Sequence, residues 1–425
     1  MENAIKDWRG RSYLPGPVPA DRVRMFRLAL ASMAVISPLQ YGYAALHTRQ
    51  AGGLTLLAVW IACQAAGALP ALHLVRRRRL GVRTCLAAGA ALTGLGLATA
   101  GLTSGLTSGL TSGLSPAALA GYAVLGGLGA GLVYGVCGEV VSSWYPERPA
   151  ARVGLITGAF GYGAVPLLLW AGVFPAMTGP AFLIMAAVAT AVLATAARHL
   201  RLSPALWWPL DVDPRSHALD ASRLRTAPEA VKQFGIAQAL RTRTLPALAL
   251  MLVCAGAVSV LDVIVVAGTG AWGAVALLVA LNGAGRSVAM RASELHGRRR
   301  VLAAVFGALA LGQVLLAVAV QNAHERPGGT LLLWLGAVAA GLGGGAFYPL
   351  LASLVRELFG AERATEIHAV VYSAKAVAGA VAAGLAFVAL SAPGAALLAA
   401  AALAALPALA TPRLRIPGLP ATIPL

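Results

Sequence analysis

Two basic residues stand alone in long apolar stretches of this chain. Lys375 lies within the run 368–390, and Arg286 lies within the run 271–290. Both runs are long and apolar enough to be membrane-spanning helices. A charged side chain near the centre of a bilayer costs about 2.5–3.5 kcal/mol on insertion scales, so such residues generally face a cavity, a partner or a substrate. Two cations in such positions indicate a binding site for an anion.

Each cation also has a plainer interpretation. Lys375 could form a structural ion pair with an acid on a neighbouring helix. Arg286 lies close enough to Arg291 at the inner end of its span for its side chain to reach the headgroups. From the helical rise, Lys375 is about 12 Å and Arg286 roughly 7–8 Å from these inner ends. The comparable depth favours one shared site, in which arginine offers a planar fork and lysine a compact charge to a carboxylate.

Two acidic residues also lie within apolar runs. Glu139 follows Tyr134 by five residues in the fourth run, and Asp262 lies near the outer end of the seventh. Glu139 is open to three interpretations: a proton carrier, a partner of Lys375 or Arg286 in the empty state, or a residue in reach of water at the inner end of its helix. Asp262 is expected at an exposed position at the outer mouth. If either acid relays protons, the protein would be a proton-coupled symporter.

The composition excludes a soluble domain. Of the 425 residues, 59% are hydrophobic and 11% are charged, whereas soluble domains carry about 25% charged residues. Runs of about 18 or more apolar residues recur along the chain and predict an all-α polytopic membrane protein. Twelve transmembrane helices are predicted, at 24–45, 54–75, 84–103, 117–143, 151–174, 178–198, 244–266, 271–290, 301–320, 329–353, 368–390 and 393–410.

The predicted helices divide into two six-helix bundles joined by a linker. Such a division is typical of transporters built from repeats. The expected parts are a cytoplasmic N-terminal tail (1–23), an N-terminal bundle (24–198), a cytoplasmic linker (199–243), a C-terminal bundle (244–410) and a cytoplasmic C-terminal tail (411–425).

Two segments outside the spans have distinctive patterns. The spacing of apolar residues in 230–240 predicts a helix along the inner membrane surface. The repeated Gly-Leu-Thr-Ser segment at 101–115 is of low complexity, and we interpret it as a helix end or loop without an assigned function.

The net charge of +18 follows the topology of a membrane protein. With the N-terminus inside, the 33 Lys and Arg residues fall in cytoplasmic segments or at inner helix ends, apart from Arg49, Arg326, Arg286 and Lys375. This positive-inside pattern predicts a multi-pass protein of the cytoplasmic (inner) membrane with both termini in the cytoplasm. The basic tract 76–79 is interpreted as a topology anchor that meets anionic lipid headgroups, so nucleic-acid binding is not expected.

Other classes of protein lack their usual signatures here. The four cysteines lie in apolar runs and the seven histidines are scattered, so neither a metal site nor another cofactor is expected. No Gly-x-x-x-x-Gly-Lys-Ser/Thr motif occurs, so no ATP site is expected. A lipid-modifying enzyme would need clustered His, Asp or Glu residues, and a membrane sensor would need a longer central loop. We therefore expect a protein that is not an enzyme and that functions as a monomer.

Short motifs recur in several of the predicted helices. Gly-Leu-Gly-Ala-Gly-Leu-Val-Tyr stands at 127–134, and Trp-Tyr-Pro-Glu-Arg follows at 144–148. The fifth helix contains Gly-Leu-Ile-Thr-Gly-Ala-Phe-Gly-Tyr-Gly-Ala at 154–164. Shorter matches are Ser-Pro-Leu-Gln-Tyr at 37–41, Gln64, Asn-Gly-Ala-Gly-Arg at 282–286 and Tyr-Ser-Ala-Lys at 372–375. Over nearly the whole chain these motifs resemble the major facilitator superfamily and, within it, the oxalate/formate antiporter family.

The resemblance implies a carboxylate site between the two bundles. In that family an arginine of the eighth helix and a lysine of the eleventh helix pair with the carboxylates of the substrate, and by motif these are Arg286 and Lys375. Aromatic and amide side chains complete the site, and the matching positions are Gln40, Tyr41, Gln64, Tyr134, Tyr348 and Tyr372.

Two positions depart from the family pattern. Tyr372 stands where a tryptophan is expected, and Gly344 stands where an aromatic residue is expected one turn before Tyr348. The site is therefore expected to be more open or more polar than an oxalate pocket, which favours a larger or hydroxylated carboxylate.

The sequence thus predicts a secondary active transporter that works by alternating access. Its expected cargo is a small organic anion, a mono- or dicarboxylate, moved by antiport or by proton-coupled symport. Two cations in an empty cavity repel each other, which favours exchange over net flux. The alternative is proton-driven efflux of a drug or natural product, which would need a roomy apolar pocket and a coupling acid such as Glu139.

Overall fold

The computed structural model describes residues 4–418 except 9, 50, 76, 104–114, 221–223, 225–227, 229 and 323–327. Within this part the chain is built mainly of long apolar helices, which we number α1 to α12 in chain order. The first, α1, consists of the pieces Arg22–Val35, Ser37–Leu39 and Tyr41–Leu46. The others are α2 Ala51–Val75, α3 Val82–Thr103, α4 Ala118–Trp144, α5 Pro149–Val173, α6 Pro175–His199, α7 Thr244–Gly268, α8 Trp272–His296, α9 Arg298–Asn322, α10 Leu331–Phe359, α11 Ala364–Ala389 and α12 Pro393–Arg413.

The predicted multi-pass membrane architecture of long helices is confirmed, with one small sheet outside these helices. Among the described residues, 11 helices are long and apolar enough to cross a membrane. The remaining predicted helix, 24–45, is present as α1 but is broken at Ser37–Leu39. Pro38 lies in this 3-10 turn, and a proline has no backbone N–H to continue the α-helical ladder. The break places Gln40 and Tyr41 at the start of a new helical piece.

Within each half of the chain the described helices pack against one another, and several helix pairs join the halves. Helix α5 packs against α8 and α10, and α2 packs against α11. The outer piece of α1, Tyr41–Leu46, also packs against α7. These interfaces between the halves surround the centre of the molecule, where Lys375 and Arg286 lie.

Glycines allow the two halves to approach closely. A Cβ added to Gly161 of α5 would lie 2.6 Å from the backbone nitrogen of Gly283 in α8. A Cβ on Gly283 would collide with the carbonyl oxygen of Gly158. Backbone-to-backbone packing of this kind needs residues without side chains.

A small sheet joins the N-terminal tail to the linker. Its strands are β1 Ile5–Lys6, β2 Ser12–Gly16 and β3 Trp207–Pro209. β1 pairs antiparallel with β2, and β2 pairs parallel with β3 with Leu14 opposite Trp207. Apolar strands in these polar segments were not expected from the sequence, because the pairing joins residues far apart in the chain.

The linker is only partly helical. Its described helices are Pro214–Leu219 and Ile236–Leu240, so the helix predicted over 230–240 is wrong for its first half. There Phe234 packs against Phe359 at the end of α10, and its backbone N–H donates to the carbonyl oxygen of Phe359 at 2.9 Å. The Gly-Leu-Thr-Ser repeat falls almost entirely outside the described residues, which resume at 115.

Candidate functional site

The structure brings the two lone cations into one chamber between the bundles. Lys375 begins the second segment of α11, Lys375–Ala389, and Arg286 lies in α8. They are 4% and 2% exposed. The Tyr348 ring centroid lies 5.3 Å from Arg286 Cζ and 5.7 Å from Lys375 Nζ, so the two charged ends are at most the sum of these distances, about 11 Å, apart.

The ammonium group of Lys375 is held by two glutamines of the N-terminal half. It donates to Gln40 Oε1 at 3.1 Å and to Gln64 Oε1. Gln40 follows directly after the break in α1, and Gln64 comes from the middle of α2. Gln64 Nε2 is buried without a hydrogen-bond partner among the described residues. Both acceptors are neutral oxygens, so they solvate the ammonium without cancelling its charge.

The guanidinium group of Arg286 is also held by neutral oxygens. Its Nη1 donates to the carbonyl oxygen of Thr157 in α5 at 2.8 Å, and its Nη2 donates to Asn282 Oδ1 at 3.2 Å. The hydroxyl of Tyr41 donates to the same Asn282 oxygen at 3.0 Å. Asn282 Nδ2 in turn donates to Ser259 Oγ at 3.0 Å. Arg286 Nε remains buried and without a partner in the described part of the chain.

Neither cation has an acidic partner in the part of the chain that the structure describes. The salt bridges found among the described residues include neither Lys375 nor Arg286. A structural ion pair for Lys375 is therefore ruled out in this state. Arg286 points to the backbone of α5, which also rules out contact with the headgroups.

Aromatic rings form the walls of the chamber. Tyr134 of α4 and Tyr372 of α11 stack across the two halves with ring centroids 5.3 Å apart. Tyr41 contacts Phe160 with centroids 5.5 Å apart. The chamber is lined by Gln40, Tyr41, Tyr134, Phe160, Arg286, Tyr348, Tyr372 and Lys375. All the predicted binding residues thus lie in or beside this chamber, Gln64 through its contact with Lys375.

Phe160 and Asn282 belong to this site but were not among the predicted site residues. The Phe160 ring lies 5.7 Å from Lys375 Nζ and 5.9 Å from Arg286 Cζ, where its face attracts both cations. Asn282 links Arg286, Tyr41 and Ser259. Both residues stand inside the motifs at 154–164 and 282–286, so the motifs contained the only sequence signal for them.

The position of Gly344 is explained by the same network. A Cβ there would lie 3.0 Å from Ser259 Oγ and 3.2 Å from Asn282 Nδ2. An aromatic side chain at this position would displace the serine–asparagine pair. The departure from the family pattern therefore coincides with a more polar wall.

The chamber is narrow in this conformation, and a wide vestibule lies beside it. The chamber has about 10 Å³ available, roughly the room for one water molecule. The vestibule has a volume of about 1310 Å³ and is lined by residues of the linker and of neighbouring helix ends. Tyr134 and Tyr348 line both spaces. The chamber and the vestibule therefore adjoin at these two tyrosines.

The two acids lie apart from the cations. Glu139 is 8% exposed and lines the vestibule, and no salt bridge among the described residues joins it to Lys375 or Arg286. Asp262 is 1% exposed, and the prediction of an exposed position is wrong. Helix α7 is enclosed by neighbouring helices, and Gln313 Nε2 of α9 donates to Asp262 Oδ1 at 2.5 Å.

The described residues contain no group of three or more His, Cys, Asp or Glu side chains placed to hold a metal ion. The four cysteines are free thiols. The chemistry available at the chamber is therefore charge, hydrogen bonding and ring contacts.

These features define a polytopic membrane protein with the major facilitator fold. No protein-family model and no curated protein matches the sequence. The fold is similar to that of a mutant of the nucleoside transporter NupG, with a TM-score of 0.63, 13% identity, and coverage of 92% of this chain and 99% of that one. It is also similar to a mutant of the Escherichia coli fucose:proton symporter FucP, with a TM-score of 0.57, 15% identity and coverage of 93% and 99%.

Proposed function

We propose that this protein is a secondary active transporter that moves a small organic anion, a mono- or dicarboxylate, by alternating access. The observation that carries the proposal is the pair of buried cations in one chamber between the bundles, with no acid to neutralise either among the described residues. A buried charge is costly unless it is paired. A bound anion supplies the missing partner.

The unused hydrogen-bonding groups around the chamber support an anionic cargo. Arg286 Nε, Gln64 Nε2 and the Tyr372 hydroxyl are buried without partners among the described residues. All three can donate a hydrogen bond, and an ionised carboxylate is an acceptor only. The arginine fork and the lysine ammonium add two charge-assisted donors. The unpartnered hydrogen-bond donors of the chamber therefore complement a carboxylate better than an uncharged solute.

The empty site also favours exchange of one anion for another. If both groups are charged and lie no more than about 11 Å apart, their repulsion is at least about 1.5 kcal/mol at an effective dielectric constant of about 20. A bound anion removes this repulsion and allows the walls of the chamber to close. The carrier would then return more readily loaded than empty, as an antiporter or with a proton as co-substrate.

The fold supports a transporter over the enzyme and sensor alternatives. The two similar structures are described as a nucleoside transporter and a fucose:proton symporter. Their descriptions name no carboxylate, so the anionic cargo rests on the chamber alone. The observation that supports the alternative of drug efflux is the vestibule of about 1310 Å³, whose wall includes Glu139.

The linker end of the molecule is proposed to face the cytoplasm of the cell. Arginines cluster there at helix ends and in the linker, as the positive-inside pattern requires. Both termini would then be cytoplasmic, and the conformation described would be open to the inside. We propose a monomer as the transporting unit.

Purified protein in proteoliposomes tests the proposed function. Labelled C1 to C6 carboxylates should exchange against internal carboxylate, and fucose or a nucleoside should not compete. The uptake should be measured with and without internal anion and with a pH gradient. Exchange of uncharged solutes in place of carboxylates would contradict the proposal, and drug efflux unaffected by carboxylates would favour the alternative.

A further inference from the structure

A second buried polar pair lies in the C-terminal bundle, outside the chamber. Asp262 of α7 is 1% exposed and Gln313 of α9 is fully buried. Gln313 Nε2 donates to Asp262 Oδ1 at 2.5 Å. The other oxygen of each group, Asp262 Oδ2 and Gln313 Oε1, is buried and has no partner among the described residues. The two side chains are therefore in contact through one hydrogen bond, yet each keeps one buried oxygen that accepts no hydrogen bond from the described residues.

One proton would satisfy both of these oxygens. A protonated carboxyl group donates one hydrogen bond, and a primary amide both donates and accepts. With a proton on Asp262 Oδ2, the acid and the amide can form two reciprocal hydrogen bonds. An ionised Asp262 would instead be a buried negative charge without a cationic partner, which is strongly unfavourable.

Among the described residues, no charged group compensates Asp262. Of the described residues, only Gln313 interacts electrostatically with its carboxyl group. The described helices packed against α7 include the outer piece of α1, α8 to α12 and the linker helix Ile236–Leu240, which has no titratable side chain. Their described titratable groups are Tyr41, Tyr43, Arg286, Arg291, Glu294, His296, Arg298, Arg299, Arg300, Tyr348, Arg356, Glu357, Glu366, His368, Tyr372, Lys375 and Arg413, with His47 at the end of α1.

The pair lies one helical turn from the network that holds Arg286. Ser259 precedes Asp262 by three residues on α7, so the two side chains share a helix face about 4.5 Å apart along the axis. Ser259 accepts a hydrogen bond from Asn282, which in turn accepts from Arg286 and Tyr41. A shift of Arg286 toward an anion would therefore alter the packing of α8 against α7 beside Asp262.

We propose that Asp262 and Gln313 form a proton-binding site that couples the carrier to a proton gradient. This inference rests on the proposed anion carrier, and it assigns the proton to a position separate from the anion. The proton binds Oδ2 of Asp262 and leaves as hydronium when the pair is opened to water. Near this end, α7 is covered by Tyr41–Leu46 of the other half, so parting of the halves there would uncover the helix.

The variant Asp262→Asn tests the coupling. An amide at this position can form two reciprocal hydrogen bonds with Gln313, so it reproduces the protonated pair and the protein should fold. We expect carboxylate exchange to stay within about threefold of wild type, while accumulation driven by an inward proton gradient falls by about tenfold or more. Unchanged proton-driven accumulation in D262N would overturn the proposal. The proposal would also be overturned if Glu139→Gln lost proton-driven accumulation while D262N kept it.

Infrared spectroscopy separates this proposal from the proposed function. In wild type at pH 7, a protonated-carboxyl C=O stretch should be present that is missing from D262N and shifts in Gln313→Leu. If carboxylates fail to exchange but this band is found, the cargo is wrong and the proton site stands. If exchange is found and the band is absent from wild type, the proton site is wrong. If D262N does not fold, Gln313→Leu is the test. A C=O band shifted from its wild-type position supports the proton site, and an unshifted band overturns it.

Discussion

Lys375 is surrounded by groups that solvate a cation without neutralising it. Its ammonium contacts the oxygens of Gln40 and Gln64 and lies 5.7 Å from the ring centroids of Phe160, Tyr348 and Tyr372. Amide oxygens and ring faces stabilise a positive charge through dipoles and quadrupoles. None of these groups carries a negative charge that would cancel that of the ammonium, as the proposed anion carrier requires.

Replacing Lys375 by glutamine should abolish carboxylate transport. The change removes one charge from a buried site, and loss of one partner of such a pair costs about 2–5 kcal/mol, or roughly 30-fold or more in affinity. Two measurements report the effect: carboxylate binding, followed by thermal stabilisation, and carboxylate exchange in proteoliposomes. Lys232→Gln is the matched control, because Lys232 is exposed in the linker and should leave both unchanged. Carboxylate affinity retained in K375Q would contradict the assignment.

Helices α5 and α8 are the elements that bring the two halves together beside the site. Arg286 of α8 donates to the carbonyl oxygen of Thr157 in α5, and glycines surround this contact. Gly158, Gly161 and Gly283 permit backbone contact between the helices, so the arginine can reach across the interface. In the proposed alternating-access cycle, a close, smooth interface would let one half rotate against the other.

Gly283→Ala should destabilise the protein and slow transport. The new methyl group would collide with the carbonyl oxygen of Gly158, and overpacking of this kind costs about 1–3 kcal/mol. The melting temperature in detergent and the exchange rate should both fall. Gly307→Ala on α9 is the control, since a Cβ there meets nothing within 4 Å. That variant should be as stable as wild type or gain about 0.5–1 kcal/mol from helix propensity. If Gly283→Ala and Gly307→Ala had the same melting temperature and exchange rate, tight packing at Gly283 would be excluded.

At the scale of the whole molecule, the two bundles enclose an asymmetric space. The vestibule of about 1310 Å³ opens at the linker end, whereas the chamber beyond Tyr134 and Tyr348 has room for about one water molecule. The outer piece of α1 packs against α7 between the halves. Among the described residues, the vestibule is therefore the wide space beside the chamber, and it lies at the linker end.

Thiol labelling tests this open state. Ser142 lines the vestibule, so a cysteine in Ser142→Cys should react rapidly with a water-soluble maleimide. Thr93→Cys is the matched control, because Thr93 is fully buried in α3 and should react slowly. The unsubstituted protein serves as the blank for its own four cysteines. We expect the rates to differ by about tenfold or more, in keeping with the large difference in exposure. Similar rates would mean that the vestibule is closed in solution.

The amino-acid sequence alone predicted the membrane class, the helical architecture and the two cations. These properties depend on the length of apolar runs and on isolated charges within them, which are local features of the chain. The motifs also pointed to the aromatic and amide residues, and the structure places them around Lys375 and Arg286. Their role in binding stays a prediction until transport is measured.

Only the tertiary structure decided which side chains meet. The burial of Asp262, its contact with Gln313 and the bridging position of Asn282 depend on how the helices of each bundle are rotated and packed. The inclusion of Phe160 in the chamber and the pairing of the N-terminal tail with the linker depend on contacts between distant parts of the chain. Hydropathy tells whether a residue lies in a membrane helix, but the packing of neighbouring helices determines the direction in which its side chain points.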